Sequence, residues 1–195
     1  MAVETYYTVD PGLYPAGAPA PSNGSAVSWS AIGAGTVAAI SLTLVLLALG
    51  SAFGLASVSP WPGVGAKPST FTIGAGVWMV ITQWLSAVLG GYIAGRLRVR
   101  WHGLHTDEVF FRDTAHGFLT WATATVLMAI VAVAATILSS AAAPPVDVAT
   151  TKEAADAARK AAAAFAGFAG LSLVIGAFVG SVGGAIGGGL RDKHP

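Results

Sequence analysis

Residues 172–188 read SLVIGAFVGSVGGAIGG, with Ser172, Gly176, Gly180, Gly184 and Gly188 at every fourth position. On an α-helix, positions four apart share one face. The period therefore predicts a helix with a strip of small residues down one side. In water each glycine weakens a helix by about 1 kcal/mol. In lipid a face without side chains lets a second backbone come close, and membrane helices associate through such small-residue faces. The stretch predicts a membrane helix with a packing groove cut along it.

The groove has an echo earlier in the chain. Residues 88–98 read VLGGYIAGRLR and residues 181–191 read SVGGAIGGGLR. A shift of 93 positions aligns Gly90 with Gly183, Gly91 with Gly184, Ile93 with Ile186, Gly95 with Gly188, Leu97 with Leu190 and Arg98 with Arg191. The four-spaced ladder carries across as Ala87, Gly91 and Gly95. The correspondence points to an internal duplication of a helical hairpin.

Composition agrees with a membrane setting. Only 10% of the 195 residues are charged, against about 25% in soluble domains, and the mean hydropathy is well above zero. The absence of cysteine excludes thiol chemistry. A formal net charge of +1 gives a nucleic-acid partner no electrostatic support. The partner that composition implies is the lipid bilayer, with a second copy or another membrane protein as a further candidate.

Residues 1–27 are rich in Pro, Gly, Ala and Ser and are expected to form a disordered cytoplasmic tail. The membrane domain is expected over 28–195, with spans at about 28–57, 71–97, 115–142 and 161–190. Each is long enough for a hydrocarbon core that needs about 20 residues. Trp29 and Trp61 suit the interfaces, and Pro60, Pro62, Pro144 and Pro145 are expected to end the first and third helices. Gln83 falls near the middle of the second span, where an amide is expected to bond a neighbouring helix. Thr106 reads as an N-cap, with Asp107 and Glu108 where a helix dipole favours anions and Glu108 four before Arg112. Lys152, Asp156 and Lys160 read as a helical lead-in to the fourth span. The expected class is an all-α integral membrane protein, four transmembrane helices in two tandem hairpins.

Residues 96–116, RLRVRWHGLHTDEVFFRDTAH, carry Arg96, Arg98, Arg100 and Arg112. The positive-inside rule places them in the cytoplasm, with both termini on the same side. The stretches WSAIGAGTVAAISLTLVLLALGSAFGLASVSPW, IGAGVWMVITQWLSAVLGGYIAGRLR and HGFLTWATATVL resemble a family of uncharacterised bacterial inner-membrane proteins, some labelled "PhnA-like". The resemblance implies a four-helix topology and brings no activity, cofactor or catalytic residue with it.

Candidate chemistry is sparse. His102, His105 and His116 share the arginine-rich loop with Asp107, Glu108 and Asp113, and such side chains can ligate metals. Their spacing matches no metal motif, so the loop reads as solvated and ion-paired, with no cofactor. Arg96, Arg98 and Arg100 lie where each cation attracts anionic headgroups by about 1 kcal/mol, making them candidate lipid-headgroup contacts. The glycines near 183–189 lack the Lys-Ser/Thr ending and preceding strand of a phosphate loop. Away from the span ends there is no Asp, Glu, Lys, Arg or His, which a proton-coupled transporter normally needs. Three classes remain. They are, in order, a structural or assembly protein packed through its ladders, a small channel lined by Gly, Thr and Gln83, and a metal- or lipid-dependent enzyme. A cysteine at position 105 is expected to react with impermeant maleimide only from the cytoplasmic side; labelling from the outside overturns the orientation.

Overall fold

The computed structural model describes residues 25–59, 61, 63–101, 105–142 and 151–193. The expected tail over 1–27 falls almost wholly outside them, as do Pro60, Pro62, Pro144 and Pro145. The described residues form four helices and no strand: α1 (Trp29–Ser57), α2 (Pro68–Leu97), α3 (Thr106–Ala142) and α4 (Lys152–Lys193). All four are long and apolar enough to cross a membrane.

The helix starts follow local chemistry. Pro68 opens α2 at a position where its missing N–H is not needed, so α2 begins three residues before the expected span. Thr106 is the first helical residue of α3, not its cap: the first intrahelical acceptor is His105 O, bonded by Val109 N–H at 3.1 Å. Asp107 and Glu108 occupy the first turn as the dipole favours. Thr151 caps α4, its hydroxyl accepting from Ala154 N–H at 3.2 Å. The lead-in at 152–160 is continuous with the fourth span. At about 1.5 Å per residue, the 42 residues of α4 extend about 63 Å.

Packing is most extensive between α2 and α4, and α1 and α4 do not approach each other. Gly91 lies against Gly180 and Gly184, and Gly95 against Gly184 and Gly188, so α2 and α4 run parallel. Gly117 of α3 meets Gly180, while Asp113 meets Gly184 and Gly188; α3 is antiparallel to α4. On the other side Gly35 of α1 meets Gly90 and Ala94, and Gly50 meets Trp78, so α1 is antiparallel to α2.

The ladder of α4 is thus set into the groove between α2 and α3. A Cβ at Gly91, Gly95, Gly117 or Gly184 would overlap a backbone carbonyl oxygen of the facing helix. Ala87 is buried beside the same face, with its carbonyl near Gly180. Gly183 and Gly187, one position before each rung, abut Val88 and Tyr92, widening the strip. At Gly176 the neighbours are side chains, Gln83 and Trp121.

The interior is small and polar while the exterior is large and apolar. Among the described residues the buried hydrophobic ones are Ala31, Ile32, Ala39, Ala87, Ala94 and Ala124, whereas Leu44, Phe53, Trp84, Ile130 and Phe178 are exposed. Burial is also lopsided along the helices. Among the described residues none of α3 is buried from 125 to 141, and in α4 none is buried before Ser172. The helices converge at the end holding Arg98 and Arg191, and α3 stands free at the other.

Gly184→Ala, which places a methyl into Asp113 O and Gly117 N, is expected to destabilise the protein by about 1–3 kcal/mol. Gly170→Ala, whose methyl meets nothing within 4 Å, is expected to be neutral or stabilising because alanine favours the helix. Thermal unfolding in mild detergent measures both.

Candidate functional site: a buried charge clamp

Where the C-terminal ends of α2 and α4 meet α3, the sequence places Arg98, Asp113 and Arg191. Arg98 Nε donates to Asp113 Oδ1. Arg191 Nη1 lies 3.8 Å from the same oxygen. Arg98 is 1% exposed and Asp113 3%. Two guanidiniums from duplicated-looking segments therefore converge on one carboxylate supplied by a third helix. Gly188 is what admits it, since a Cβ there would occupy the space of the Asp113 carboxylate.

The arginines also close the helix ends. The last carbonyls of a helix lack intrahelical donors. Arg191 Nη1 donates to Gly95 O at 3.0 Å and Arg98 O at 3.4 Å, covering the end of α2. Arg100 Nη2 donates to Arg191 O at 3.0 Å and Asp192 O at 2.7 Å, covering the end of α4. Each helix of the parallel pair is capped by an arginine from the other segment, and a cation suits the C-terminal end of each dipole. Asp192 holds Arg191 in place with bonds of 2.9–3.0 Å from Nε and Nη2.

An aromatic layer covers the clamp. The Trp101 ring lies 3.8 Å from Arg98 Cζ and 4.7 Å from Arg112 Cζ, between two cations. Arg112 also pairs with Glu108 at 2.6 Å. His116 sits 5.8 Å from Trp101, ring to ring. Its Nδ1 faces Arg112 O at 2.6 Å, and its Nε2 accepts from Ser28 N–H at 2.8 Å. Those contacts require the neutral ring with the proton on Nδ1. Thr120 Oγ1 bonds His116 O at 2.8 Å, and Thr36 Oγ1 reaches Thr120 O at 3.5 Å, tying α1 to α3.

These positions revise the loop reading. His116, expected to be solvated, is 1% exposed, because it lies one turn on from Asp113 on the face of α3 that turns into the bundle. Arg98, expected as a headgroup contact, is turned inward by Asp113. Arg100 is spent on the end of α4, and Arg96 is half-buried with Nη1 enclosed and unpartnered. His105 is exposed, 3.6 Å from Asp107, and His102 lies outside the described residues. Among the described residues no three His, Asp or Glu side chains gather as a metal site would require.

Deeper in the bundle lies a second polar layer. Gln83 and Trp121 both lie over Gly176, where a Cβ would stand 2.5 Å from Trp121 Nε1 and 2.6 Å from Gln83 Nε2. Thr82 Oγ1, Ser86 Oγ, Ser172 Oγ and Trp121 Nε1 are enclosed without a hydrogen-bond partner. Gln83 makes no hydrogen bond to a neighbouring helix among the described residues, contrary to the expectation for it. Its carboxamide packs on a glycine instead.

Sequence reasoning missed Gly117, Trp101 and the pairing of Asp113. The available signals were the alignment of Arg98 with Arg191 and the four-residue spacing of Asp113, Gly117 and Trp121. A scan against protein-family models, a search of curated proteins and a search of solved structures each return no match to this chain.

Removing one partner of a buried pair leaves an uncompensated charge, which costs about 3–5 kcal/mol. Asp113→Ala is expected to lose that much stability in detergent unfolding. Glu108→Ala, which breaks only an exposed i,i+4 pair, is expected to lose no more than about 0.5 kcal/mol. His116→Ala, which strands Ser28 N–H, is expected to fall between them, while His105→Ala leaves unfolding unchanged.

Proposed function

We propose that the chain is a four-span protein of the bacterial inner membrane, a non-enzymatic structural module with both termini in the cytoplasm. The observation that carries this is the inverted distribution of side chains: alanine, glycine, serine, threonine and a charge clamp inside, large apolar side chains outside. In water an exterior of that kind is an extended aggregation-prone patch. In lipid it is the ordinary solvent-facing surface, and close glycine contacts become the packing force. The clamp then lies at the cytoplasmic face, where Arg96, Arg100, Arg112 and Lys193 add positive charge.

The duplication is part of the proposal. Its support is that Arg98 and Arg191, equivalent under the 93-residue shift, meet on one carboxylate, and that the aligned ladders pack in parallel as parallel repeats do. The ladders are consumed within one chain, so assembly with a second copy or another protein uses the exposed apolar faces of α3 beyond Ala124 and of α4 before Ser172.

A second reading, a small permeation unit, draws on the enclosed polar atoms of Thr82, Ser86, Trp121 and Ser172 beside Gln83. Unpaired polar groups at membrane depth are tolerated where water reaches them. Water and ion permeability of proteoliposomes separates the two. The structural reading expects rates within about twofold of protein-free liposomes. A larger rate that Gln83→Leu abolishes overturns it in favour of permeation.

A further inference from the structure

The start of α1 is tied to a single side chain of α3. Ser28 stands at the N-cap but makes no side-chain cap bond, and the first turn carries no acidic residue. The polar tie is the backbone N–H of Ser28, donated to His116 Nε2 at 2.8 Å. The ring is fixed from its other side, where Nδ1–H donates to Arg112 O at 2.6 Å. An imidazole offers an acceptor nitrogen only when neutral. The tie between the two helices therefore exists in one protonation state of His116.

The surroundings of the ring oppose the other state. Among the described residues, the charged groups that bear on it are Arg98 at the end of α2, Arg191 of α4 and Asp113, three positions back on α3. The Arg112 guanidinium lies one contact further off, against Trp101, and α1 contains no titratable side chain. Asp113, the one anion of this set, is already bonded to Arg98 with Arg191 at 3.8 Å. A proton on Nε2 would set two N–H donors against each other. It would also add a cation beside Arg98 and Arg191 and place it at the positive end of the α1 dipole.

We propose that His116 is a proton-operated latch on the start of α1. Neutral, it holds Ser28; protonated, it releases the first turns of α1 while the glycine-packed core stays closed. Ala31 and Ile32, 2% and 1% exposed, are the buried side chains of the released segment. Beyond them the contacts do not titrate: Gly35 packs on Gly90 and Ala94, and Thr36 reaches Thr120 O. The chain reaches solvent just ahead of the latch, with Ser25 and Ala26 exposed and Ser28 half-buried, so a proton gains the ring when the first turn frays. Histidine ordinarily changes charge at about pH 6.5, within reach of physiological acidification, and such protonation is a known means of opening packed interfaces. Residues 1–27 lead into Ser28, so opening alters where that segment departs from the bundle. The orientation proposed above makes the cytoplasm the compartment whose pH is read; the latch itself does not depend on it.

The test uses the absence of cysteine from the chain. Ala31→Cys puts a single thiol in the latched turn, and Ser25→Cys supplies an exposed reference. Maleimide labelling rates of the two are compared in mild detergent, which needs no assumption about orientation, and their ratio removes the effect of pH on the thiol itself. Between about pH 8 and about pH 5 the ratio is expected to rise at least about tenfold as the first turn opens. His116→Gln keeps an acceptor within reach of Ser28 N–H and cannot take up the proton, so its ratio is expected to stay within about twofold over the same range. The ring is followed directly by 15N NMR in a chain whose other histidines, His102, His105 and His194, are replaced by asparagine. Its signal is expected to be the neutral Nδ1–H form at high pH and to titrate together with the labelling ratio. A ratio that stays flat in wild type overturns the latch, as does one that rises equally in a folded His116→Gln variant. If thermal unfolding shows that His116→Gln does not fold, the ring signal decides: labelling that rises without titration of His116 overturns the proposal, and labelling that tracks it supports it.

Discussion

The backbone of α4 enters the groove between α2 and α3 at a distance that only hydrogen atoms at the α-carbons permit. Everything else in the bundle depends on that approach. It brings the ends of two parallel helices close enough for Arg191 and Arg100 to cap them, and it leaves at Gly188 the space in which Asp113 sits. The ion pair does not by itself draw the helices together; burying charge is too costly for that unless geometry is already right. Close packing comes first, and the clamp fixes the register. A slip of α4 by one turn along the ladder would keep most of the glycine contacts but carry Arg191 away from Asp113 and from the end of α2.

The glycine strip and the four helices were legible because both are periodic. Small residues at every fourth position and apolar runs of helical length are properties of neighbouring residues. The clamp was not legible, because its members are 15 and 78 positions apart, from 98 to 113 and from 113 to 191. Asp113 follows Arg112 in a charged run that looks solvated by composition, and nothing local says which of the two turns inward. His116 was misplaced for the same reason: it belongs to the same charged run, and nothing local says that the face of α3 carrying Asp113 and His116 turns into the bundle.

The parting of the helices was equally hidden. Val126, Ile130 and Ile137 on α3 have the same apolar character as residues that face lipid along a packed helix. Composition separates apolar from polar surroundings, and cannot separate a lipid neighbour from a helix neighbour. The difference lies in size: where α3 is buried it carries Gly117, Thr120 and Ala124, and where it stands free it carries branched aliphatics.

The clamp draws Arg98 from the residue that ends α2, Asp113 from α3 and Arg191 from α4, and this imposes an order in time. As the chain is made from its N-terminus, α2 and α3 emerge before α4, so Arg98 and Asp113 can meet early, leaving α2 without its arginine cap. The second cation and both helix-end caps depend on residues 191 and 192, which arrive only when nearly all of α4 has been synthesised. A nascent chain halted within α4 therefore presents an open groove, an uncapped α2 and a carboxylate with one partner. Completion of α4 is the event that turns three loosely held helices into a closed bundle.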